Sequence, residues 1–175
     1  MRRLTNNPPF YSQHGFTLLE ALVGFLILSI GLLGIASLHT LSLQSGKSAI
    51  YKTVAVEKAQ QIIESIRANA AELEPETGTS AYIAGYSDSG VICATSCNSQ
   101  QQALDDIYHW KKDLKTGLPN RASTKAKVEV GAAVAGSHLH TVTVTVKWRE
   151  RSNTSRTGVA KSYVLTTDIC SQEPC

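Results

Sequence analysis

Residues 16–38 read FTLLEALVGFLILSIGLLGIASL, 23 positions in which Glu20 is the single ionisable side chain. As a helix rising 1.5 Å per residue, the stretch spans about 35 Å, enough to cross a bilayer core of roughly 30 Å. A cleaved secretory signal would need a shorter apolar region followed by a small-residue cut site. Here the segment continues without proline into a helix-like stretch, which favours a helix that stays in the membrane. Arg2 and Arg3 precede it, and Lys47 and Lys52 follow it. That modest bias favours an N-terminus left in the cytoplasm. Glu20 is the anomaly. A carboxylate inside such a run costs about 2.5–3.5 kcal/mol on insertion scales, so it calls for a partner or a function. The competing reading is that Glu20 lies near enough to the polar flank to reach water.

The residues around it are specific. His14-Gly15-Phe16-Thr17-Leu18-Leu19-Glu20 resembles the processing site of type IV pilins and of the pseudopilins of type II secretion. The resemblance implies that a prepilin peptidase cuts between Gly15 and Phe16 on the cytoplasmic side, removing residues 1–15 as a leader. It also implies N-methylation of the new terminus at Phe16. Glycine before the cut suits a protease, because the backbone extends there without side-chain interference. Glu20, by the same resemblance, pairs with the terminal amine of a neighbouring subunit and sets axial register in a filament. Pairing offsets much of the cost of placing each charge in apolar surroundings.

Beyond the apolar run the pattern becomes amphipathic. Ile50, Val54, Ile62, Ile66, Ala70 and Leu73 recur on one helical face, and Ala55, Ala59 and Ile63 widen it. Lys52, Lys58, Gln60, Glu64 and Arg67 fall largely elsewhere, and Pro75 marks the stop. The spacing predicts one helix from about residue 16 to residue 73. Gly24, Gly31, Gly34 and Gly46 each weaken it by about 1 kcal/mol relative to alanine. Gly31 and Gly34 allow either local melting during assembly or simple close packing. Major pilins commonly carry a proline in this half. Its absence here means that their packing geometry does not transfer directly.

Residues 75–98, rich in Gly, Ser and Thr, read as an irregular connection. Ser99 with Gln102 suggests a capping box, and Ala103, Ile107, Trp110 and Leu114 follow at helical spacing. Lys111, Lys112 and Lys115 suit the end of that helix, and Gly117 with Pro119 closes it, giving a helix over 99–116 with Trp110 as a core anchor. The last third changes period. In LHTVTVTVKW (139–148) the valines and Trp148 share one face and the threonines and Lys147 the other, a half-buried antiparallel strand. Residues 125–134 and 159–167 are its partners, and 149–158 is an exposed, positively charged hairpin loop. The expected fold is α+β and pilin-like: a long N-terminal helix, transmembrane in its first half, packed on a small antiparallel β-sheet with a second short helix. The expected organisation is 1–15 leader, 16–38 transmembrane and assembly half, 39–74 amphipathic half, and 75–175 head domain.

IIESIRANAA, then ALDDIYHW and a strand ending in VKW, are similar to the PilV family of minor type IV pilins. Ile66-Arg67-Ala68-Asn69 stands where that family commonly has an M-R-A-N-type segment. The partners this implies are the prepilin peptidase, other minor and major pilins, the inner-membrane assembly platform, the membrane itself and a tip adhesin. The implied location is the bacterial inner membrane, single-pass with a periplasmic head, and then the extracellular pilus. A pseudopilin of a type II secretion system is the runner-up.

Composition is that of a folded chain, 42% hydrophobic and 18% charged. Of the formal net charge of +3, two come from Arg2 and Arg3, so no nucleic-acid partner is expected from the balance. Lys111, Lys112, Lys115, Arg149, Arg151 and Arg156 could form a basic patch for DNA, against the plainer reading of solvated helix-end and loop surface. Cys93, Cys97, Cys170 and Cys175 should oxidise in an exported domain. Local pairing, Cys93–Cys97 and Cys170–Cys175, is preferred, although short loops gain little chain entropy and pairing between the clusters stays open. A zinc site using Cys-x3-Cys with His138 and His140 has no familiar spacing, and no metal or cofactor is assigned. His109, His138, His140, Asp105 and Asp106 are acid–base side chains without a nucleophile elbow, phosphate loop or paired metal motif, so no catalytic residue is assigned and the chain is read as a non-enzyme.

Overall fold

The computed structural model describes residues 15–76, 78–87, 91–152, 155–173 and 175. Most of the expected leader, including Arg2, Arg3 and His14, lies outside the described residues. The elements are α1 (Leu18–Ala68), a 3-10 turn (Ala70–Leu73), α2 (Ser99–Gly117), β1 (Lys125–Val130), β2 (Leu139–Glu150) and β3 (Val159–Cys170). The chain divides into two compact units, one up to Ser45 and one from Gly46 to Cys175.

In the first unit the described residues are almost wholly helical, and the large apolar side chains face outward. Leu18 is 84% exposed, Leu33 72% and Leu38 68%. Uniform hydrophobicity around the helix leaves no stripe for the chain's own packing, as expected for a segment that meets lipid or other helices on every side.

The second unit holds the core. Here α1 buries Ala55, Ala59, Ile62, Ile63 and Ile66, a stripe at three- and four-residue spacing. The α-helix ends at Ala68, earlier than the apolar period suggests. Asn69 leaves helical geometry (φ −127°, ψ 43°), and its amide donates to the Ser99 carbonyl at 2.8 Å and to Tyr82 Oη at 3.3 Å. A short amide side chain that finds such partners competes with continued helix. The 3-10 turn then carries the apolar period on to bury Leu73.

Asn98, one residue before the expected Ser99, caps α2. Its side chain accepts from Gln101 N at 2.8 Å, and Gln101 Oε1 accepts from Asn98 N at 3.1 Å, a reciprocal capping box. Ala103, Ile107, Trp110 and Leu114 form its buried face, and the Trp110 indole donates to the Lys58 carbonyl. At the other end Gly117 lies against α1: a Cβ there would stand 3.0 Å from Val54 Cγ1.

The sheet is an antiparallel meander in the order β1-β2-β3. Val128 pairs with Val144, and Val144 with Leu165, so one face carries valine, leucine and Trp148 against the helices. The opposite face carries Thr141, Thr143, Thr145 and Lys147. β1 stops at Val130, and the chain turns through Gly131, whose N–H still reaches the Thr141 carbonyl at 2.8 Å. β2 and β3 run further than the alternation alone suggests, because their ladder continues to Glu150↔Val159 and Leu139↔Cys170. Gly158 (φ +75°) lies in the hairpin between them, where a Cβ would overlap the Glu150 carbonyl oxygen. On the outer side of β1, Ala84 and Val128 exchange two backbone hydrogen bonds, which fastens the connecting segment to the sheet and buries Tyr82 completely. The result is an α+β arrangement of a long helix packed on a three-stranded antiparallel sheet with a second helix, as the sequence predicts.

Candidate functional site

Gly15, Phe16 and Thr17 are exposed and non-helical, and α1 begins at Leu18. Thr17 starts the helix: its Oγ1 accepts from Glu20 N at 3.2 Å, and its carbonyl accepts from Ala21 N at 3.2 Å. Thr17-Leu18-Leu19-Glu20 thus has the order of an N-terminal capping sequence, with the acid in the first turn where the helix dipole favours negative charge. Glu20 is exposed. The same first turn leaves Phe16 74% exposed. Among the described residues, no heavy atom lies within 4 Å of where a Cβ on Gly15 would sit. Gly24, Gly31, Gly34 and Gly46 are equally unhindered. Leu18–Ala68 contains a window apolar enough and long enough to cross a membrane, and none of that window is buried by the chain itself.

The remaining residues singled out in the sequence lie in the second unit. Cys93 is bonded to Cys97 just before the α2 cap, and Cys170 to Cys175 just after β3. His109 Nε2 lies 3.6 Å from Asp105 Oδ1 one turn away on α2. Asp106 instead accepts from Tyr82 Oη at 2.9 Å, and burial raises its carboxyl above the ordinary aspartate range. Burial likewise raises the Tyr82 phenol. Lys111 departs from the expected basic surface. It is 5% exposed, and its ammonium donates to the carbonyls of Gly85 and Ser87, each at 2.6 Å. It fastens the connecting segment rather than presenting charge to a ligand.

His138 and His140 meet a carboxylate that no spacing along the chain joins to them. Glu74 Oε2 accepts from His138 Nδ1 at 2.8 Å and from Ser171 Oγ at 2.7 Å. These bonds, Ser171's first, hold the Glu74 carboxyl below the usual range. Serine and imidazole both donate to the same carboxylate oxygen, so the arrangement is not that of a serine–histidine relay, in which the imidazole accepts from the hydroxyl. Among the described residues, no three His, Cys, Asp or Glu side chains converge as they stand on a ready metal position.

Residues 11–36 match the family model described as the prokaryotic N-terminal methylation motif. The match includes Gly15, Phe16 and Glu20, and it supports a type IV pilin-like or pseudopilin-like protein, a structural subunit processed by prepilin peptidase and assembled with other pilins. No curated protein and no solved structure matches the chain.

Proposed function

We propose that this chain is a minor pilin of a type IV pilus, cut between Gly15 and Phe16 and methylated at Phe16. In this reading it waits in the bacterial inner membrane with its N-terminus cytoplasmic and its head periplasmic. It is then drawn into the filament at or near the tip, where it primes or modifies assembly. Residues 1–15 are the leader, 16–38 the membrane and assembly half of the helix, 39–74 the amphipathic half, and 75–175 the head. The observation that carries the reading is a processing motif followed directly by an apolar helix that the chain's own fold leaves uncovered. Such a surface needs lipid first and neighbouring helices afterwards, and extraction from one to the other is the work of a filament machine. Glu20 then meets the amine of an adjacent subunit's Phe16. The local disulfides stabilise the head outside the cell. The likeness to the PilV family in Ile66-Arg67-Ala68-Asn69 and in the strand ending at Trp148 favours the minor-pilin role.

A minor pseudopilin of a type II secretion system is the second reading, because it shares the same N-terminal features. Deletion of the gene separates the two: loss of surface pili supports the first, and loss of exoenzyme secretion with pili intact supports the second. The processing step is tested by mass spectrometry of the native N-terminus. A chain starting at methylated Phe16 is expected, and Gly15→Leu should leave the leader attached. A mature protein still beginning at Met1 in cells with an active prepilin peptidase would falsify the proposal. Glu20→Gln should reduce incorporation into filaments without preventing cleavage.

A further inference from the structure

β3 forms one edge of the sheet, and the register fixes which of its main-chain groups face outward. Gly131 N donates to the Thr141 carbonyl and Ser171 N to the His138 carbonyl, each continuing a ladder one step past its last pair. Bonded and non-bonded pairs alternate along an antiparallel ladder. From these two bonds, odd-numbered residues of β2 bond to β1 and even-numbered ones bond to β3. Odd-numbered residues of β3 therefore bond to β2. The N–H and C=O groups of Ala160, Ser162, Val164, Thr166 and Asp168 point away from the sheet, and all five residues are exposed. The same alternation turns Val128 outward from β1, where it exchanges both main-chain bonds with Ala84.

The two edges thus differ. β1 is six residues long, with Val128 already paired and Ala126 buried. β3 runs for twelve residues, its ladder with β2 has no bulge, and among the described residues no strand pairs with its far side. Exposed edges are ordinarily blunted by proline, a bulge or charge. Between Lys161 and Asp168, Ser162-Tyr163-Val164-Leu165-Thr166-Thr167 has none of these and no glycine. Tyr163 and Leu165 pack against the core, and Val164 is 54% exposed on the other face. An uncharged run of this composition on an open edge is a template for a further strand.

A second copy of the chain does not fit that edge. Its β1 edge is taken, so β3 could meet only its own counterpart. Antiparallel pairing of the two follows a two-fold axis through the sheet and turns the second α1, packed on the sheet, end for end. Chains anchored by the same helix end in one membrane point the same way. Parallel pairing would set Tyr163 and Leu165 beside the copy's polar face. We infer that β3 accepts an extended strand donated by a different exported chain. The strand is apolar on the side of Tyr163 and Leu165, small or hydroxyl-bearing on the side of Ser162 and Thr166, and uncharged along 162–167. Main-chain bonds to the outward residues supply affinity, and the side-chain alternation supplies selectivity. That the donor is met on entry into the filament rests on the pilin reading.

The test expresses full-length variants in place of the native gene and compares their amounts in sheared filaments and in the membrane fraction by immunoblot. Ser162→Pro and Thr166→Pro remove outward N–H groups that the ladder with β2 does not use, so the head should stay folded, as Tm of the detergent-purified protein checks. Each should lower the filament-to-membrane ratio at least about tenfold. Ser162→Ala and Thr166→Ser keep the main chain and should match wild type. Folded proline variants that enter filaments at the wild-type level overturn the added strand. So does an equal loss in Ser162→Ala and Ser162→Pro, which would assign the contact to the side-chain face. Hydrogen exchange on the wild-type protein keeps the test sound if a proline variant unfolds. The Ser162, Val164 and Thr166 amides should be slowed in filaments relative to the detergent-purified subunit, where those of Tyr163 and Leu165 are already slow. Outward amides that exchange equally fast in both overturn the added strand alone. Wild-type protein absent from sheared filaments overturns the pilin reading and the added strand with it.

Discussion

The indole N–H of Trp110 donates to the main-chain carbonyl of Lys58 at 2.7 Å, joining α2 to the buried half of α1. Trp110 is 3% exposed, so both its bulk and its polar tip are in use. Trp110→Phe keeps much of the packing and loses the bond, and should cost about 1–2 kcal/mol. Trp110→Ala should cost about 3–5 kcal/mol. Urea unfolding followed by circular dichroism measures both, and equal losses in the two variants would show that the hydrogen bond is the whole contribution.

Gly117 and Val54 form a second contact between the same helices. Gly117→Ala brings a methyl to within 3.0 Å of Val54 Cγ1, and the crowding should outweigh the gain in helix propensity, for a net loss of about 1 kcal/mol. Val54→Ala should relieve it, so the double variant is more stable than the two single losses added together. An additive result in a double-mutant cycle would remove the contact from the account.

Gly158 closes the β2–β3 hairpin with φ +75° and no room for a side chain beside the Glu150 carbonyl. Gly158→Ala should destabilise by at least about 1–2 kcal/mol, combining left-handed strain with steric overlap. Gly136, at φ +79° but with open space around its Cβ position, provides the contrast: Gly136→Ala meets only the strain. Unfolding midpoints of the two variants should differ in that order.

Asp106 sets a pH dependence of definite sign. Its folded-state carboxyl sits above the ordinary aspartate value, mainly because it is buried. The native state therefore holds the proton more tightly than the unfolded chain. Its contribution to stability falls as pH rises from about 3.9, the unfolded value, through the folded one, and stays at the lower level beyond. Asp106→Asn keeps an acceptor for Tyr82 and removes this term. The difference in urea midpoint between variant and wild type should grow in the variant's favour from pH 4 upward. A constant difference across that range would contradict the assignment.

The main elements were legible because their periods are long and clean. The stripe Ala55, Ala59, Ile62, Ile66 and the alternation Val142, Val144, Val146, Trp148 admit one helix face and one strand face. Boundaries were less so. Asn98 and Ser99 are both capable caps, and only the reciprocal bond with Gln101 separates them. Asn69 ends α1 through partners that come from elsewhere in the chain, Tyr82 and Ser99. Lys111 read as a helix-end surface cation, since nothing local foretells that a loop's carbonyls will close over it. His138-Leu139-His140 was visible as a pair of imidazoles. Glu74 was not visible as their partner, because the meeting is made by tertiary packing and leaves no spacing to read. At the N-terminus the motif around Gly15, Phe16 and Glu20 is read from sequence alone, and the fold adds the capping role of Thr17.

The uncovered side chains from Leu18 to Leu43 have an evolutionary consequence. Substitutions there escape any selection for folding of the individual molecule and answer only to what surrounds it. A stretch from an unrelated exported filament protein, grafted over these positions, should yield a subunit with a normally folded head that fails to polymerise with its old companions. Compatibility between strains would then be decided in this stretch, while the remainder drifts under the separate discipline of its own packing.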